Sequence, residues 1–214
     1  MARETLSEKL ARLQREKGTD IGLMLRPQLS KMPLPMQRYD DPFLPFGKAI
    51  IDATRDLICC VMFDLASYMS LGAASMVALE RTIAYAKADT VTILHGAFAT
   101  PDYAPIATEA AFDVDAVTTA DEVIAEAYLT QPERGAFVHV TPRFYPTPRM
   151  GDFVNMGIWF DFPDKSQLIL PDPLNTIMQR IQLLNDDAIY AGRGDDFADH
   201  TRTAVEAARN ASKS

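Results

Sequence analysis

The stretch DATRDLICCVMFDLASYMSLGAASMVALERTIAY, residues 52–85, decides the fold of this chain. Its first half contains the apolar run Leu57–Met62, which has the length and composition of a buried strand. Its second half contains most of Leu71–Ala86, where apolar residues recur at helical spacing and a glycine stands near the start. A buried strand followed by a helix is typical of a βαβ unit, in which parallel strands are joined by a helical crossover.

The same alternation of short β-rich runs and longer helical patterns continues on both sides of this stretch. The predicted strands are Ile21–Leu25, Leu57–Met62, Thr90–Leu94, Ala116–Thr119, Ala136–Val140, Val154–Phe160, Gln167–Leu170 and Ala188–Ala191. The predicted helices are an amphipathic segment over residues 1–18, Leu71–Ala86, Ile106–Phe112, Ala120–Leu129, Leu174–Leu184 and a closing helix over residues 197–211. Eight strands are the number in a (β/α)8 TIM barrel, so we predict an α/β barrel formed by one domain, residues 1–214.

Two proline-rich segments interrupt the pattern. Pro33–Phe46 is predicted to be a connection after the first strand, although its aromatic residues also suit a docking surface. The segment TPRFYPTPRMGD, Thr141–Asp152, has three prolines and one glycine in twelve residues, which favours a loop. The barrel is therefore expected to be shortened, with at least one crossover helix reduced.

Composition excludes some classes of partner. The chain has 214 residues, is 48% hydrophobic, and carries a formal net charge of −8 with a pI near 4.9. This charge opposes binding to nucleic acids or anionic membranes, because such binding depends on Lys and Arg. No stretch approaches the roughly 18 to 20 apolar residues of a transmembrane helix, so we expect a cytoplasmic protein. The adjacent Cys59 and Cys60 are expected to be reduced packing residues.

Several segments resemble the orotidine 5′-phosphate decarboxylases, in particular their longer bacterial subgroup. Residues 52–85 are the most specific match, since they resemble the second strand and helix of that family. The other matching segments are IGLMLRPQLSKMP (21–33), TILHGAFATPDYAPIATEAAF (92–112), DAVT (115–118), RGAFV (134–138) and AIYAGRGDDFADHTRTAVEAAR (188–209). The resemblance extends over nearly the whole chain and implies a TIM barrel of this family.

The residues that the family uses for catalysis are not present at the matching positions. Decarboxylation in the family depends on a D-x-K-x-x-D motif at the end of the third strand and on a lysine in the second. Here the motif positions are His95, Ala97 and Thr100, and the lysine position is Met62. An aspartate that contacts the substrate at the end of the first strand is replaced by Met24.

The positions that bind the substrate elsewhere in the family also differ. The Thr-Ser-Asn run after the fifth strand corresponds to residues near Thr141–Arg143, where only the threonine type is kept. The glycine-rich phosphate loop corresponds to Leu170–Asn175, LPDPLN, and the phosphate-binding arginine corresponds to Asp186 or Asp187. Carboxylates at that position would repel a phosphate. The shortened Thr141–Asp152 segment would also leave the site open to water.

A remodelled site at the barrel mouth is an alternative. Asp64, His95, Asp102 and His139 follow or end predicted strands, and His95 with Asp64 or Asp102 could serve as an acid–base pair. The two histidines, His95 and His139, together with the carboxylates Asp64 and Asp121, could bind zinc or another divalent metal ion. However, strand-end His and Asp are common capping residues, and no H-x-H or H-E-x-x-H spacing occurs, so we expect no metal and no cofactor.

The leading hypothesis is a pseudoenzyme, a decarboxylase-like barrel without catalysis that acts through protein contacts as a structural or regulatory subunit. Its partner would be a second copy, an active paralogue or a larger assembly. The alternatives are a small-molecule-binding protein or enzyme with a remodelled mouth and, less favoured, a conventional decarboxylase of pyrimidine biosynthesis. A mouth filled by Met24 and Met62 would support the first hypothesis, whereas an accessible polar pocket would support the second.

Overall fold

The chain forms a closed eight-stranded α/β barrel, as predicted. The computed structural model describes residues 4–96, 112–119, 122–128, 134–140, 158–161, 167–169 and 179–212. The strands are β1 (Ile21–Leu25), β2 (Cys60–Asp64), β3 (Val91–His95), β4 (Ala116–Thr119), β5 (Gly135–Val140), β6 (Ile158–Asp161), β7 (Gln167–Ile169) and β8 (Gln179–Leu184). The described α-helices are α1 (Leu6–Lys17), α2 (Phe43–Thr54), α3 (Leu65–Met69), α4 (Ala73–Ala86), α5 (Glu122–Tyr128), α6 (Asp186–Ile189) and α7 (Phe197–Ser212).

The order of strands around the barrel departs from a regular TIM barrel in one place. Strands β1 to β5 follow one another in parallel, and β8 is parallel to both β1 and β6. Strand β7 lies between β5 and β6 and is antiparallel to each of them. The parallel part therefore places the carboxyl ends of β1 to β5 and β8 at one end of the barrel, which we call the mouth.

The sheet separates two apolar cores. Alternate residues of β1 to β4 pack outward against the helices, as Leu23, Val61 and Val117 do. The intervening residues fill the barrel interior, among them Met62, Ile93 and Phe137. This alternation follows from the two-residue period of a strand, which sends successive side chains to opposite faces.

Helix α1 closes the end of the barrel opposite the mouth. It begins with a capping box formed by Thr5 and Glu8 and ends at Gly18, whose φ of 59° is left-handed. Its buried face, which comprises Leu6, Leu10 and Leu13, belongs to the interior core. The helix thus contributes to the core inside the barrel rather than to the outer helical layer.

The prediction of the last strand was wrong. Residues Ala188–Ala191 do not form a strand, because Asn185 caps the short helix α6 by accepting a hydrogen bond from the Asp187 amide. The eighth strand is β8, which lies inside the segment Leu174–Leu184 that was predicted to be helical. In β8 the buried Ile181 and Leu183 alternate with more polar residues, as in a strand.

The sequence prediction also missed helix α2, which lies between β1 and β2. The prolines of Pro33–Phe46 suggested a loop, but Pro45 stands in the first turn of α2, where the backbone N–H has no intrahelical partner. The helix packs against the strands and against α4 and α7. Its buried face recurs at helical spacing: Phe43, Phe46, Gly47, Ile50, Ile51 and Thr54.

Candidate functional site

Polar side chains gather where the first four strands end at the barrel mouth. Asp64, the last residue of β2, is in register with His95, the last residue of β3. Thr118 in β4 and Arg26 after β1 complete this group, which we call the mouth cluster: Arg26, Asp64, His95 and Thr118. The structure therefore brings together Asp64 and His95, two residues that the sequence predicted for a remodelled site.

Asp64 is a buried carboxylate with partners on both oxygens. Its side chain is 7% exposed, and its Oδ2 lies 2.8 Å from Arg26 Nε and accepts a hydrogen bond from Ser67 Oγ at 3.0 Å. Its Oδ1 accepts a hydrogen bond from the Ala66 amide at 3.1 Å, which caps α3. These contacts give Asp64 a structural role in fixing α3 and Arg26 at the mouth.

His95 is oriented by β4. Its Nδ1 lies 2.9 Å from Thr118 Oγ1, which accepts a hydrogen bond from the Gly96 amide at 3.0 Å. A hydroxyl oxygen can accept two hydrogen bonds and donate one, so the direction of the bond between Thr118 Oγ1 and Nδ1 depends on the imidazole tautomer. Either direction holds the ring in one orientation, as an acid–base residue requires.

The two methionines at family positions lie inside the barrel. Met24 is in register with Met62, and their relative exposures are 7% and 0%. Met62 belongs to the interior apolar core together with Ile93, Phe137 and Ile181. Among the described residues, the side chains directly below the mouth cluster are thus apolar.

Other predicted site residues fall outside what the structure describes. Ala97, Thr100, Asp102 and Asp121 lie outside the described residues. The backbone of His139 pairs with that of Leu168 across β5 and β7. Within the described part of the chain, no group of three or more His, Cys, Asp or Glu side chains is arranged to hold a metal ion.

A second polar group joins β8 to the loop after β1. Asp186 follows β8 and accepts hydrogen bonds on Oδ2 from Lys31 Nζ at 2.6 Å and from Gln28 Nε2 at 2.7 Å. The Tyr190 hydroxyl accepts a hydrogen bond from the Gln28 amide at 2.7 Å and donates one to the Arg26 carbonyl at 3.0 Å. Burial raises the pKa of Tyr190, so its hydroxyl stays protonated as the donor. These bonds fix the β1 loop, and the Asp186 carboxylate is paired with a cation of this chain.

Sequence reasoning did not identify three of the residues that form these groups: Arg26, Lys31 and Thr118. Arg26 directly follows β1, so its place after a predicted strand could have marked it as a mouth residue. Thr118 shares an inward face with Ala116, which the two-residue period of a strand could have indicated. No local pattern identifies Lys31, because its partner Asp186 is 155 residues away.

The two adjacent cysteines, Cys59 and Cys60, belong to neither of these polar groups. Both are free and buried within the barrel core. Burial raises the pKa of Cys59 to about 12 and raises that of Cys60 as well. Both groups are therefore thiols at neutral pH, which makes them poor nucleophiles and metal ligands.

Comparison with known proteins finds partial sequence matches to orotidine 5′-phosphate decarboxylases. The enzyme of that name from Parabacteroides distasonis is 44% identical over 57 residues, which cover 27% of this chain and 20% of the relative. That from Flavobacterium johnsoniae is 35% identical over 85 residues, covering 40% of this chain and 30% of the relative. The chain thus matches less than a third of the length of these relatives, and no protein-family model matches it.

Solved structures extend the likeness in fold to almost the whole chain. Orotidine 5′-monophosphate decarboxylase of Plasmodium berghei superposes with a TM-score of 0.63 at 10% identity, covering 96% of this chain and 99% of that chain. UMP synthase of Leishmania donovani gives a TM-score of 0.68 at 11% identity, covering 97% of this chain and 57% of that chain. The chain therefore has the TIM-barrel fold of these proteins. The resemblance to orotidine 5′-phosphate decarboxylases is confirmed in its fold and in part of its sequence.

No described helix has the length and apolar composition that crossing a membrane requires.

Proposed function

We propose that this chain is a non-catalytic, decarboxylase-like barrel that acts through protein contacts as a structural or regulatory subunit. The proposal is supported chiefly by Met62, which the sequence resemblance aligns with the lysine position of the family's second strand and which is 0% exposed in an apolar core. A thioether can neither donate a proton nor provide the charge that decarboxylation needs in the family. Met24, at the aspartate position of the first strand, has the same consequence.

The mouth also differs from a phosphate site in its charges. A phosphate group is bound by cations and by free backbone amides. By the sequence resemblance, Asp186 stands close to the family's arginine position, so a carboxylate replaces a cation there. This carboxylate also forms an ion pair with Lys31, which is then not available to a phosphate. Asp64 likewise engages Arg26, whose Nε faces the carboxylate rather than a ligand. Both described cations of the β1 loop at the mouth therefore have an internal counter-charge.

The relatives of this chain are named as decarboxylases, so turnover of orotidine 5′-phosphate is the decisive test. The protein would be purified from a host that lacks its own decarboxylase and supplied with substrate labelled at the carboxyl group. We expect no release of labelled carbon dioxide above the level without protein. Release that scales with protein concentration and is abolished by His95→Ala would overturn the proposal, because a contaminating enzyme would not respond to that substitution.

The subunit role is tested by native mass spectrometry of the protein isolated gently from its source. We expect a stable complex with a partner, which could be a second copy, an active paralogue or a larger assembly. The cytoplasm is the compartment in which we expect it. A lone monomer that carries no partner at micromolar concentration would contradict the role.

A second candidate function rests on the mouth cluster. The Arg26–Asp64 pair and the His95–Thr118 pair fix a cation and an imidazole at one end of the barrel. With Asp102 and His139, they could form a remodelled site that binds a small molecule or acts on one by acid–base chemistry. A metabolite mass retained by the native protein and lost in His95→Ala would favour this function over the first.

A further inference from the structure

A cleft lies beside the mouth, between the loop after β1 and the turn after α3. Its volume is about 320 Å³, and its walls include Leu29, Met32, Tyr39 and Leu71. Met32 is 2% exposed and belongs to the outer core, so the cleft has a packed floor. The Lys31–Asp186 bond at 2.6 Å and the Tyr190 hydroxyl bond to the Gln28 amide hold the near end of this loop. The cleft is therefore formed by a loop with fixed anchors.

Exposed apolar side chains are concentrated around this cleft. In the described part of the chain, five large hydrophobic side chains are exposed. Three of them lie in the loop after β1 and a fourth ends α3, and two of these four, Leu29 and Tyr39, line the cleft. These four are Leu29 (51%), Leu34 (68%), Tyr39 (49%) and Met69 (53%). Exposed apolar residues scattered singly are normal on a protein surface, but a group of them on adjoining segments is typical of an interaction site.

The cleft has a single charged wall residue, Asp40. Its carboxylate is exposed and makes no hydrogen bond or ion pair with another residue in the described ranges. Neighbouring charges are already engaged: Lys31 pairs with Asp186, and Arg38 donates to the Pro35 carbonyl at 2.8 Å. Asp41 accepts a hydrogen bond from the Phe43 amide at the start of α2. Asp40 is thus available to a cation from outside the chain.

We propose that this cleft docks a segment of a partner protein that presents a lysine or arginine flanked by aliphatic side chains. The aliphatic stem of such a residue suits the walls formed by Leu29, Met32 and Leu71, and its charged end suits Asp40. The Tyr39 ring adds a surface that attracts cations. Leu34 and Met69 add exposed apolar side chains on the loop after β1 and at the end of α3, which favours a protein segment over a small molecule. The proposal rests on the function through protein contacts proposed above.

The test uses capped pentapeptides of sequence Leu-Ala-Lys-Ala-Leu, with glutamate or norleucine replacing lysine in two further probes. Each is titrated into the full-length, ¹⁵N-labelled protein, and amide shifts are followed by NMR. We expect the lysine peptide to shift residues 29–40 and Leu71, and to bind about five-fold more tightly than the glutamate peptide, as one exposed ion pair allows. Equal affinities, or shifts that map elsewhere, would overturn the proposal.

Variants separate charge from apolar contact. Asp40→Asn is expected to lower the affinity for the lysine peptide about five-fold and to leave the affinity for the norleucine peptide unchanged. Glu80→Gln removes an exposed carboxylate from α4 and serves as the matched control, with no effect expected on either peptide. Leu29→Ser is expected to weaken both peptides. An Asp40→Asn protein that binds the lysine peptide as wild type does would refute the role of this carboxylate.

Self-association would also refute the proposal as stated. If sedimentation shows that Leu29→Ser abolishes a dimer and that the lysine peptide competes with it, the occupant is a second copy rather than a partner. The peptide titrations do not depend on the decarboxylation assay. A chain that turns over orotidine 5′-phosphate and still binds the lysine peptide at the cleft would lose only the non-catalytic function, whereas an inactive chain that fails to bind it would lose only this docking site.

Discussion

Met62 matters both for the packing of the barrel interior and for the proposed non-catalytic function. It lies on the inward face of β2 with no exposed surface, and its neighbours in the interior core are apolar. A lysine here would have to bury its charge or lose its proton, because a low-dielectric environment disfavours the ammonium form. With methionine at position 62, this part of the barrel interior carries no charged side chain.

We expect Met62→Lys to lower the free energy of unfolding by roughly 3 kcal/mol, since an unpaired buried charge is strongly destabilising. Met62→Leu, which nearly conserves volume, should cost less than about 1.5 kcal/mol. Urea denaturation followed by circular dichroism measures both. If the lysine variant is as stable as the leucine variant, the mouth supplies a counter-charge, and the argument for a non-catalytic barrel is lost.

A second prediction concerns Lys17 at the opposite end of the barrel. Its Nζ donates to the carbonyl oxygens of Arg55 at 2.6 Å, Ile58 at 2.9 Å and Asp89. Lys17→Met keeps much of the stem but leaves these carbonyls without their donor, which should cost roughly 2 kcal/mol. Thermal unfolding checks this, with Arg15→Met on the same helix as the control. Equal melting temperatures for the two variants would contradict it.

At the scale of elements, the position of α1 depends on Gly135 in β5. A Cβ atom built at this position would clash with Leu6 Cδ2, so the Leu6 side chain would have to shift. The strand and the helix approach this closely because glycine has no side chain. The packing of α1 against the end of the barrel thus depends on the contact between Leu6 in α1 and Gly135 in β5.

Gly135→Ala is expected to destabilise the protein by about 1–3 kcal/mol, as overpacking does. Leu6→Ala should cost about 2–5 kcal/mol through the cavity it leaves. In the double variant the alanine at 135 partly fills that cavity, so the combined loss should fall short of the sum by about 1 kcal/mol. A double-mutant cycle in urea measures this coupling, and strict additivity would mean that α1 does not seat against β5.

Elements differed in how far the sequence predicted them. Strands β1 and β4 have the predicted bounds, because both are short and polar residues mark their limits: Asp20 and Arg26 flank β1, and Asp115 precedes β4. Residues 179–184 of the segment Leu174–Leu184 were misread as helical because Leu174, Ile177, Ile181 and Leu184 fit a helical period. Only the hydrogen bonds of β8 to β1 and β6 decide between the two patterns, and these are long-range contacts.

The candidate site was predicted only in part, for a similar reason. Asp64 and His95 could be found because strand ends can be inferred from local patterns. The partners of Asp64 could not, since Arg26 is recruited from the loop after another strand. The segment Pro33–Phe46, which contains Asp40, was predicted to be a connection or a docking surface. The cleft itself could not be predicted, because exposure depends on the packing of α2 and α3 around it.

At the scale of the whole molecule, α7 near the end of this chain is bonded to α2 and to the turn that follows it. Arg202 makes two hydrogen bonds to Asp56, at 2.7 and 2.8 Å, and also donates to the Ala53 carbonyl at 2.8 Å. Hydrogen bonding from Arg202 lowers the pKa of Asp56 below its ordinary value. A carboxyl whose pKa is lower in the folded state stabilises the fold above its unfolded pKa and ceases to do so as pH falls through its folded pKa.

We therefore expect Asp56→Asn to cost about 0.5–1 kcal/mol at pH 7, the scale of an exposed ion pair. The difference from wild type should shrink as the pH falls below about 4, where the unfolded carboxyl takes up its proton. Urea midpoints at pH 7 and pH 3 measure it, with Glu80→Gln as the control. A difference that is the same at both values would mean that the charge of Asp56 plays no part.

Helix α1 also constrains the order in which the chain can fold. Gln14 Nε2 donates to the Arg180 carbonyl at 2.8 Å, and the Lys17 carbonyl accepts from Arg209 at 2.8 Å. Helix α1 therefore completes these contacts only after β8 and α7, which lie far along the chain, have been synthesised. Contacts between such distant segments slow folding, because a long loop must close before they form. Until the interior strands close over it, the apolar face of α1 is exposed on the growing chain, which makes this helix a segment that a chaperone would bind.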